Sequence, residues 1–486
     1  MRRDATRAAL WLALSMIAAC TVGPDYRRPR VDVPSAYGGA GIGSRGGEGL
    51  DPTWWRLFGD ERLSSLEGRA VAGNPGLEAA LARVAQARAV SAEAAGGRYP
   101  TIELAPTLTR SRNPLTSSRP GGKAATALVM PFDLSYELDV WGKVRRTVEA
   151  ARAQALSAAD NHGVVLLSLT ANVATTYFTL RSLDSQAEVL ARSVDSSRKQ
   201  LALTQTKRGA GLVGPTDVLQ AQAQLDATFG QQADVERQRR DAEHSLAILI
   251  GQPPSALSLP PLPLGGDPPP VPAGLPSALL RRRPDVAAAE HTLASASASI
   301  GIARANLYPS FSLTGSAGLA SASLTGALGW ANRSWSIAGG LLAPIFEGGV
   351  LRAQVEQARG AYDEARATYR AAILQALADV ENGLTDIGAL RRAGAAYERA
   401  AASAREGLRL TQLQYEQGLV DYLQVLDAQR TLLGDELQTA QTRGQRFVST
   451  VLLFKALGGG WTPRDGARVL DRARAGGPGR RLTAVR

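Results

Sequence analysis

The sequence predicts a mixed α and β fold made from two copies of one unit. Long α-helices in a coiled-coil barrel continue into a transmembrane β-barrel that one chain cannot close alone. Three observations lead there. A 22-residue stretch recurs without a gap 207 positions later. Two pairs of short segments alternate apolar and polar residues. Each pair is followed by a proline-free run long enough for a helix of roughly 100 Å at about 1.5 Å per residue.

The duplicated stretch runs from Leu201 to Gln222 and again from Leu408 to Gln429, with Gly211-Leu212-Val213 returning as Gly418-Leu419-Val420. Tyr99-Pro100 returns as Tyr308-Pro309, Pro75 as Pro284 and Gly251 as Gly458. Self-similarity over such distances marks repeated structural units. Pro253 to Pro276 is rich in proline and glycine, joins the copies and cannot be helical.

Each unit reads as helix, two strands, long helix, tip, long helix. In the first, Ile102, Leu104, Pro106 and Leu108 alternate with polar or small residues, and Leu134, Tyr136, Leu138 and Val140 do the same. In the second, Phe311, Leu313, Gly315, Ala317 and Leu319 alternate, followed by Trp335, Ile337, Gly339 and Leu341. Strands of about 10 residues with one apolar face suit a transmembrane barrel wall. Alternation alone fits a half-buried soluble sheet equally well, and Pro106 weakens its strand locally.

The helices decide between the two. No proline lies between Pro131 and Pro215 or between Pro344 and Pro463, so helices can run over about 143–208 and 349–417. Val173, Tyr177, Leu180 and Leu183, like Leu374, Leu377, Val380 and Leu384, fall at i+3 or i+4 spacing. Such length without internal caps points to coiled-coil packing. Four short strands cannot close a barrel, and open edges are not tolerated in lipid. Two chains would supply eight strands; three would supply twelve and a roomier aqueous lumen.

The single cysteine of the 486-residue chain, Cys20, follows Arg2, Arg3 and Arg7 and the apolar run Ala8–Ala19. That run is too short to span a bilayer but fits the h-region of a signal peptide. With Ile17, Ala18 and Ala19 before it, Cys20 completes a lipobox and is the expected lipid attachment point. Thr21 stands where an inner-membrane retention signal would carry Asp.

Little else in the composition supports chemistry. His162, His244 and His291 have no ligand-spaced neighbours and read as solvated helix-face residues, and the methionines are only Met1, Met16 and Met130, so no metal site or cofactor is expected. Of the net charge of +11, +5 lies from Arg464 onward and +2 in the signal segment. A basic tail without interleaved aromatics argues against nucleic-acid binding.

These residues resemble the TolC/OprM/NodT-type outer-membrane factors of tripartite efflux and type I secretion systems. The likeness spans nearly the whole mature chain. It is carried by the lipobox with Val22-Gly23-Pro24-Asp25-Tyr26, by the strand end Glu137 to Gly142 with Trp141, by Leu457-Gly458-Gly459-Gly460-Trp461, and above all by the second tip, Tyr415 to Arg430. The resemblance implies a homotrimer with a twelve-stranded outer-membrane barrel and a twelve-helix periplasmic tunnel. It also implies a periplasmic adaptor (membrane fusion protein) and an inner-membrane pump of the resistance-nodulation-division class as partners. Lipid on Cys20 fits the OprM/NodT branch.

By family motif, Leu423 and Asp427 match the constriction at the periplasmic mouth. Tyr415 and Arg430 match residues that tie neighbouring helices, with Asp217 a possible partner and Asp421 beside them. Three symmetry-related carboxylates on an axis repel one another and attract cations, and a leucine ring adds a dry plug. The tips Gly211-Leu212-Val213-Gly214 and Gly418-Leu419-Val420 expose apolar side chains at glycine-bearing turns, which a soluble surface avoids; they are read as the adaptor-binding surface. A helix C-cap role for Gly211 and Gly418 is compatible with that.

The expected organisation is a signal peptide (1–19), an acylated segment forming part of an equatorial belt (20–62), the first repeat (63–251), an equatorial linker (252–274), the second repeat (275–458) and a basic, disordered tail (459–486). No catalytic residue is expected. The expected function is a passive efflux duct for drugs or other small molecules with a gate at its periplasmic end. A type I protein-secretion duct and a non-conducting structural coiled-coil lipoprotein are the alternatives.

Overall fold

The computed structural model describes residues 21–37, 51–112, 124–271, 282–322 and 329–475. The predicted signal peptide, Cys20 and the start of the second repeat at 275–281 lie outside them. The fold is mostly helical with one small sheet. The helices are α1 (Glu61–Gly73), α2 (Pro75–Gly96), α3 (Lys143–Gly209), α4 (Pro215–Leu249), α5 (Pro284–Ala305), α6 (Val350–Glu416), α7 (Tyr422–Ala456) and α8 (Pro463–Ala475). The strands are β1 (Thr101–Leu104), β2 (Thr107–Ser111), β3 (Ala125–Leu138), β4 (Ser310–Ser321) and β5 (Arg333–Leu342).

Lengths recur between the halves: 22 residues in α2 and α5, 67 in α3 and α6, and 35 in α4 and α7. The described chain divides into two compact units. One draws on residues 21–30, 84–158 and 289–370, the other on 31–83, 159–288 and 371–475.

The first unit holds the sheet, ordered β1-β3-β4-β5 with β2 also on β3, all antiparallel. Leu104 lies opposite Phe132 and Thr107 opposite Val129, so β1 and β2 keep one register and are a single strand interrupted at residues 105–106. The cause is Pro131 rather than Pro106. Ala105 and Pro131 form a hydrogen-bonded pair in which the Ala105 N–H donates to the Pro131 carbonyl (3.3 Å), while Pro131 has no N–H to return. Pro106 sits at the next, non-hydrogen-bonded position, so its missing N–H faces the free edge, where proline is tolerated.

Register sorts the side chains by face. Ile102, Leu134, Gly315 and Ile337 share one row, and Leu104, Phe132, Ala317 and Trp335 the next but one. Between them Glu103, Asp133, Ser316 and Ser336 point the other way. The apolar face is bare: Ile102, Phe132, Trp335 and Ile337 are all more than half exposed. Among the described residues the outer edges of β1/β2 and β5 pair with nothing.

The strand-to-helix junction of the same unit is tightly fixed. Asp139 accepts hydrogen bonds from the backbone of Val144 (2.8 Å) and Arg145 (2.9 Å), satisfying orphan donors of α3. Trp141 stacks on Tyr308 at 4.9 Å and donates from Nε1 to the Pro309 carbonyl at 2.7 Å. The segment after Cys20 is threaded onto this junction: the Val22 N–H donates to the Trp141 carbonyl (3.0 Å), and Arg146 holds Asp25 (2.7 Å). Arg28 pairs with Glu290 (2.7 Å) and reaches the Tyr369 hydroxyl (3.2 Å).

The second unit is organised around aromatic packing. Trp54, 1% exposed, stacks on Phe454 at 5.3 Å, and Phe58 packs on Phe178 at 4.8 Å. Asp60 caps α1 through the Arg62 and Leu63 N–H groups and accepts from the Tyr177 hydroxyl at 2.5 Å. The basic tail departs from expectation. Residues 463–475 form a helix, because Thr462-Pro463-Arg464-Asp465 is a capping box: Asp465 accepts from the Thr462 N–H (2.9 Å) and hydroxyl (2.8 Å), with proline at the first helical position. Gly466 is seated so closely on Asp160 that a Cβ would lie 2.6 Å from its carboxylate. Residues 476–486 lie outside the described residues.

Candidate functional site

The predicted tip and gate residues all fall within the second unit, at the α3–α4 and α6–α7 turns. Both turns end a 67-residue helix in the same way. Gly211 (φ 75°) donates to the Arg208 carbonyl and Leu212 to that of Lys207, each at 2.9 Å. Gly418 (φ 74°) donates to Tyr415 at 3.1 Å and Leu419 to Gln414 at 2.9 Å. This paired pattern is the Schellman motif, and the left-handed position selects glycine. Gly214 and Pro215 then open α4, while Asp421 opens α7 by accepting from the Gln424 N–H at 3.2 Å.

The four apolar tip residues are not equivalent. Leu212 and Leu419 stand 73% and 70% exposed. Val213 is half-buried, and Val420 packs against an apolar cluster of Leu201, Ala221, Leu408, Tyr415, Tyr422, Val425 and Leu426. The leucines, rather than the valines, are the outward-facing groups.

That cluster ties the two hairpins together. Tyr415 and Tyr422 pack at 5.8 Å. Lys207, in the last turn of α3, lies 3.8 Å from the centre of the Tyr415 ring and donates from Nζ to the Tyr415 carbonyl at 2.9 Å. A cation at a helix C-terminus and over an aromatic face is favoured twice. Burial, with Tyr415 and Asp217 nearby, pushes the Tyr422 hydroxyl up to about 12; Tyr415 is raised by burial, with Asp217 adding to it. Arg430 donates from Nε to Gln224 on α4 at 2.8 Å, not to Asp217.

Leu423 and Asp427 share the opposite, exposed face of α7 at i, i+4 spacing, with Leu423 48% exposed. Among the described residues the Asp427 carboxylate has no ion pair, and Arg430, three positions on, does not reach it. The predicted set therefore separates into Asp217, Tyr415 and Arg430 on the side where the hairpins pack, Leu423 and Asp427 on an open face, and Asp421 in a cap. Lys207, Gln224 and Tyr422 were not anticipated. Lys207 carried a signal as a basic residue in the last turn of a long helix; Gln224 carried none.

Comparison with known proteins agrees with this architecture. The profile of the family described as "Outer membrane efflux protein" matches residues 66–252 and again 275–459. Outer membrane protein OprJ of Pseudomonas aeruginosa is 33% identical over 469 residues, covering 95% of this chain and 97% of the relative. Toluene efflux pump outer membrane protein TtgI of Pseudomonas putida is 33% identical over 93% of this chain and 97% of its own length. The solved structure of the outer-membrane channel OprN superposes with a TM-score of 0.86 at 29% identity, covering 91% of this chain and 100% of that one. With the family profile matched in both halves, this chain belongs to the outer membrane efflux protein family and is an outer-membrane efflux protein.

Proposed function

We propose that three copies of this chain form a passive outer-membrane exit duct for small molecules. The observation that carries the reading is the sheet: it is four strands wide, has one bare apolar face and, among the described residues, leaves both outer edges unpaired. In an outer-membrane protein such edges must be paired by other copies. Three copies supply twelve strands, and the matching element lengths of the two halves supply four long helices per chain for a tunnel continuing the barrel. The apolar face meets lipid and the Glu103–Asp133 row faces the lumen. Cys20, acylated, anchors the amino terminus to the membrane, and Val22 and Asp25 just after it are held at the Trp141 junction.

The tips carry the working parts. Leu212 and Leu419 dock a periplasmic adaptor, which couples the duct to an inner-membrane pump of the resistance-nodulation-division class. Leu423 and Asp427 from three copies close the periplasmic mouth, the leucines as a dry ring and the carboxylates as a cation-attracting one. Tyr415, Lys207 and Arg430 hold the hairpins in the closed arrangement. No step of this function is catalytic. The mass of the detergent-solubilised oligomer tests the assembly: three copies are expected, and a monodisperse monomer or dimer contradicts it.

A further inference from the structure

The linker between the halves is gripped more closely than a connector needs. In Leu259-Pro260-Pro261-Leu262-Pro263-Leu264 the prolines leave only three backbone N–H groups, and a side chain takes each one. Leu259 donates to the Glu243 carboxylate, Leu262 to Asp184 at 2.9 Å and Leu264 to the Ser185 hydroxyl at 2.9 Å. Two carbonyls are held as well, that of Leu259 by Arg239 (2.6 Å) and that of Pro260 by Arg181 (2.9 Å).

The gripping groups form one buried charge network. The Asp184 side chain is 0% exposed and bridges Arg181 (2.8 Å) and Arg239 (2.6 Å), and Arg239 also reaches Glu243 (3.4 Å). Buried charges of this kind persist when each is paired and hydrogen-bonded, and breaking one pair leaves an uncompensated charge. The network spans α3 and α4, so the linker locks onto the first hairpin.

The second half treats the linker differently. The positions 207 residues beyond Asp184 and Glu243 are Arg391 and Thr450, so the acceptors are gone. Arg239 alone keeps its identity, as Arg446, and Arg446 again turns to the linker, pairing with Asp267 at 2.9 Å. Arg446 lies on α7, the helix that carries Leu423 and Asp427.

We propose that residues 259–267 are a restraint on the gate. Arg181, Asp184, Arg239 and Glu243 act as positioning residues that fix the strap to the first hairpin, and Arg446 with Asp267 passes the restraint to α7. The inference rests on the gate reading above, since it assigns the strap to that same opening motion. Outward movement of α7 must then release or drag the strap, and loosening either grip favours the open duct.

The test combines amide hydrogen exchange over residues 259–264 with single-channel recording of the intact oligomer. In the wild-type protein the three leucine amides are protected. Arg239→Met frees them and raises the open-state population about tenfold, the factor set by losing one strong charge-assisted contact. Arg446→Gln leaves the amides protected yet raises opening about two- to fivefold, as suits a partly exposed ion pair. Exchanging the charges in Arg446→Asp with Asp267→Arg restores wild-type opening. If Arg239→Met does not assemble, Arg446→Gln and the exchange still decide. Unchanged opening in Arg446→Gln, or fast leucine amide exchange in Arg239→Met with wild-type currents, overturns the proposal. A channel whose currents also ignore Asp427→Ala would instead contradict the gate reading itself.

Discussion

The first hairpin, α3 and α4, and the second, α6 and α7, have the same lengths and the same turns but not the same chemistry. The turns that begin and end the return helix recur in both: left-handed glycines stand at 211 and 418, and again at 251 and 458 where the hairpins end. The side chains have diverged. Asp427 and Arg430 stand where the first hairpin has Gln220 and Ala223, and Asp184 and Glu243 stand where the second has Arg391 and Thr450. The shared backbone is the scaffold, whereas the proposed gate residues belong to the second copy and the buried acceptors that hold the linker belong to the first.

The sharpest test of that division is at the hairpin ends. A Cβ on Gly251 would lie 2.0 Å from the Gly73 carbonyl oxygen, and one on Gly458 would lie 2.1 Å from that of Arg282, both at positive φ. Left-handed strain and backbone overlap together cost about 3 kcal/mol or more. Gly251→Ala and Gly458→Ala should therefore lower thermal stability by similar, large amounts; a loss confined to one half would break the equivalence.

Glu67 on α1 supplies a stability term with no duplicate among the described residues. It is 0% exposed, neither carboxylate oxygen has a hydrogen-bond partner among the described residues, and burial raises it to about 9. The folded protein therefore keeps a proton that the unfolded chain releases near pH 4.5, and stability falls as pH climbs between those values. At roughly 1.4 kcal/mol per pH unit, the loss from pH 6 to pH 8 is about 3 kcal/mol. Glu67→Gln should abolish that slope in thermal unfolding; a slope unchanged by the substitution contradicts the burial argument.

The tips should respond more mildly. At Gly211 and Gly418 a Cβ meets nothing within 4 Å, so only the dihedral penalty remains, and alanine should cost about 1 kcal/mol at either turn. Leu212→Asp and Leu419→Asp should change stability by no more than about 0.5 kcal/mol, since both side chains are exposed. Export and adaptor cross-linking should nevertheless fail. Intact export in both variants would remove the tips from the docking surface.

Much of this was legible in the sequence because it is periodic or local. The 207-residue repeat, the glycine turns and the alternating strands each follow from spacing. Alternation also continued from Leu134 back through Phe132, Met130 and Leu128 into the observed β3, but Pro131 hid it, since proline inside a strand normally argues against one. Gly318 resolves the conflict: a Cβ there would lie 2.1 Å from the Met130 carbonyl oxygen, so its absence lets β4 approach. The helix at Pro463–Ala475 was obscured by its arginines, although Thr462 and Asp465 announced its start. The linker grip and the Lys207–Tyr415 contact were not legible, because each joins residues brought together only by long-range packing.

Single-channel conductance of the purified oligomer in a planar bilayer tests the central claim most directly. Wild type should pass small currents that grow severalfold in Asp427→Ala with Arg430→Ala, while Gln220→Ala, the same position in the other hairpin, should leave them unchanged. An oligomer that never conducts, or whose currents ignore the Asp427 and Arg430 substitutions, contradicts a gated duct closed by the second hairpin.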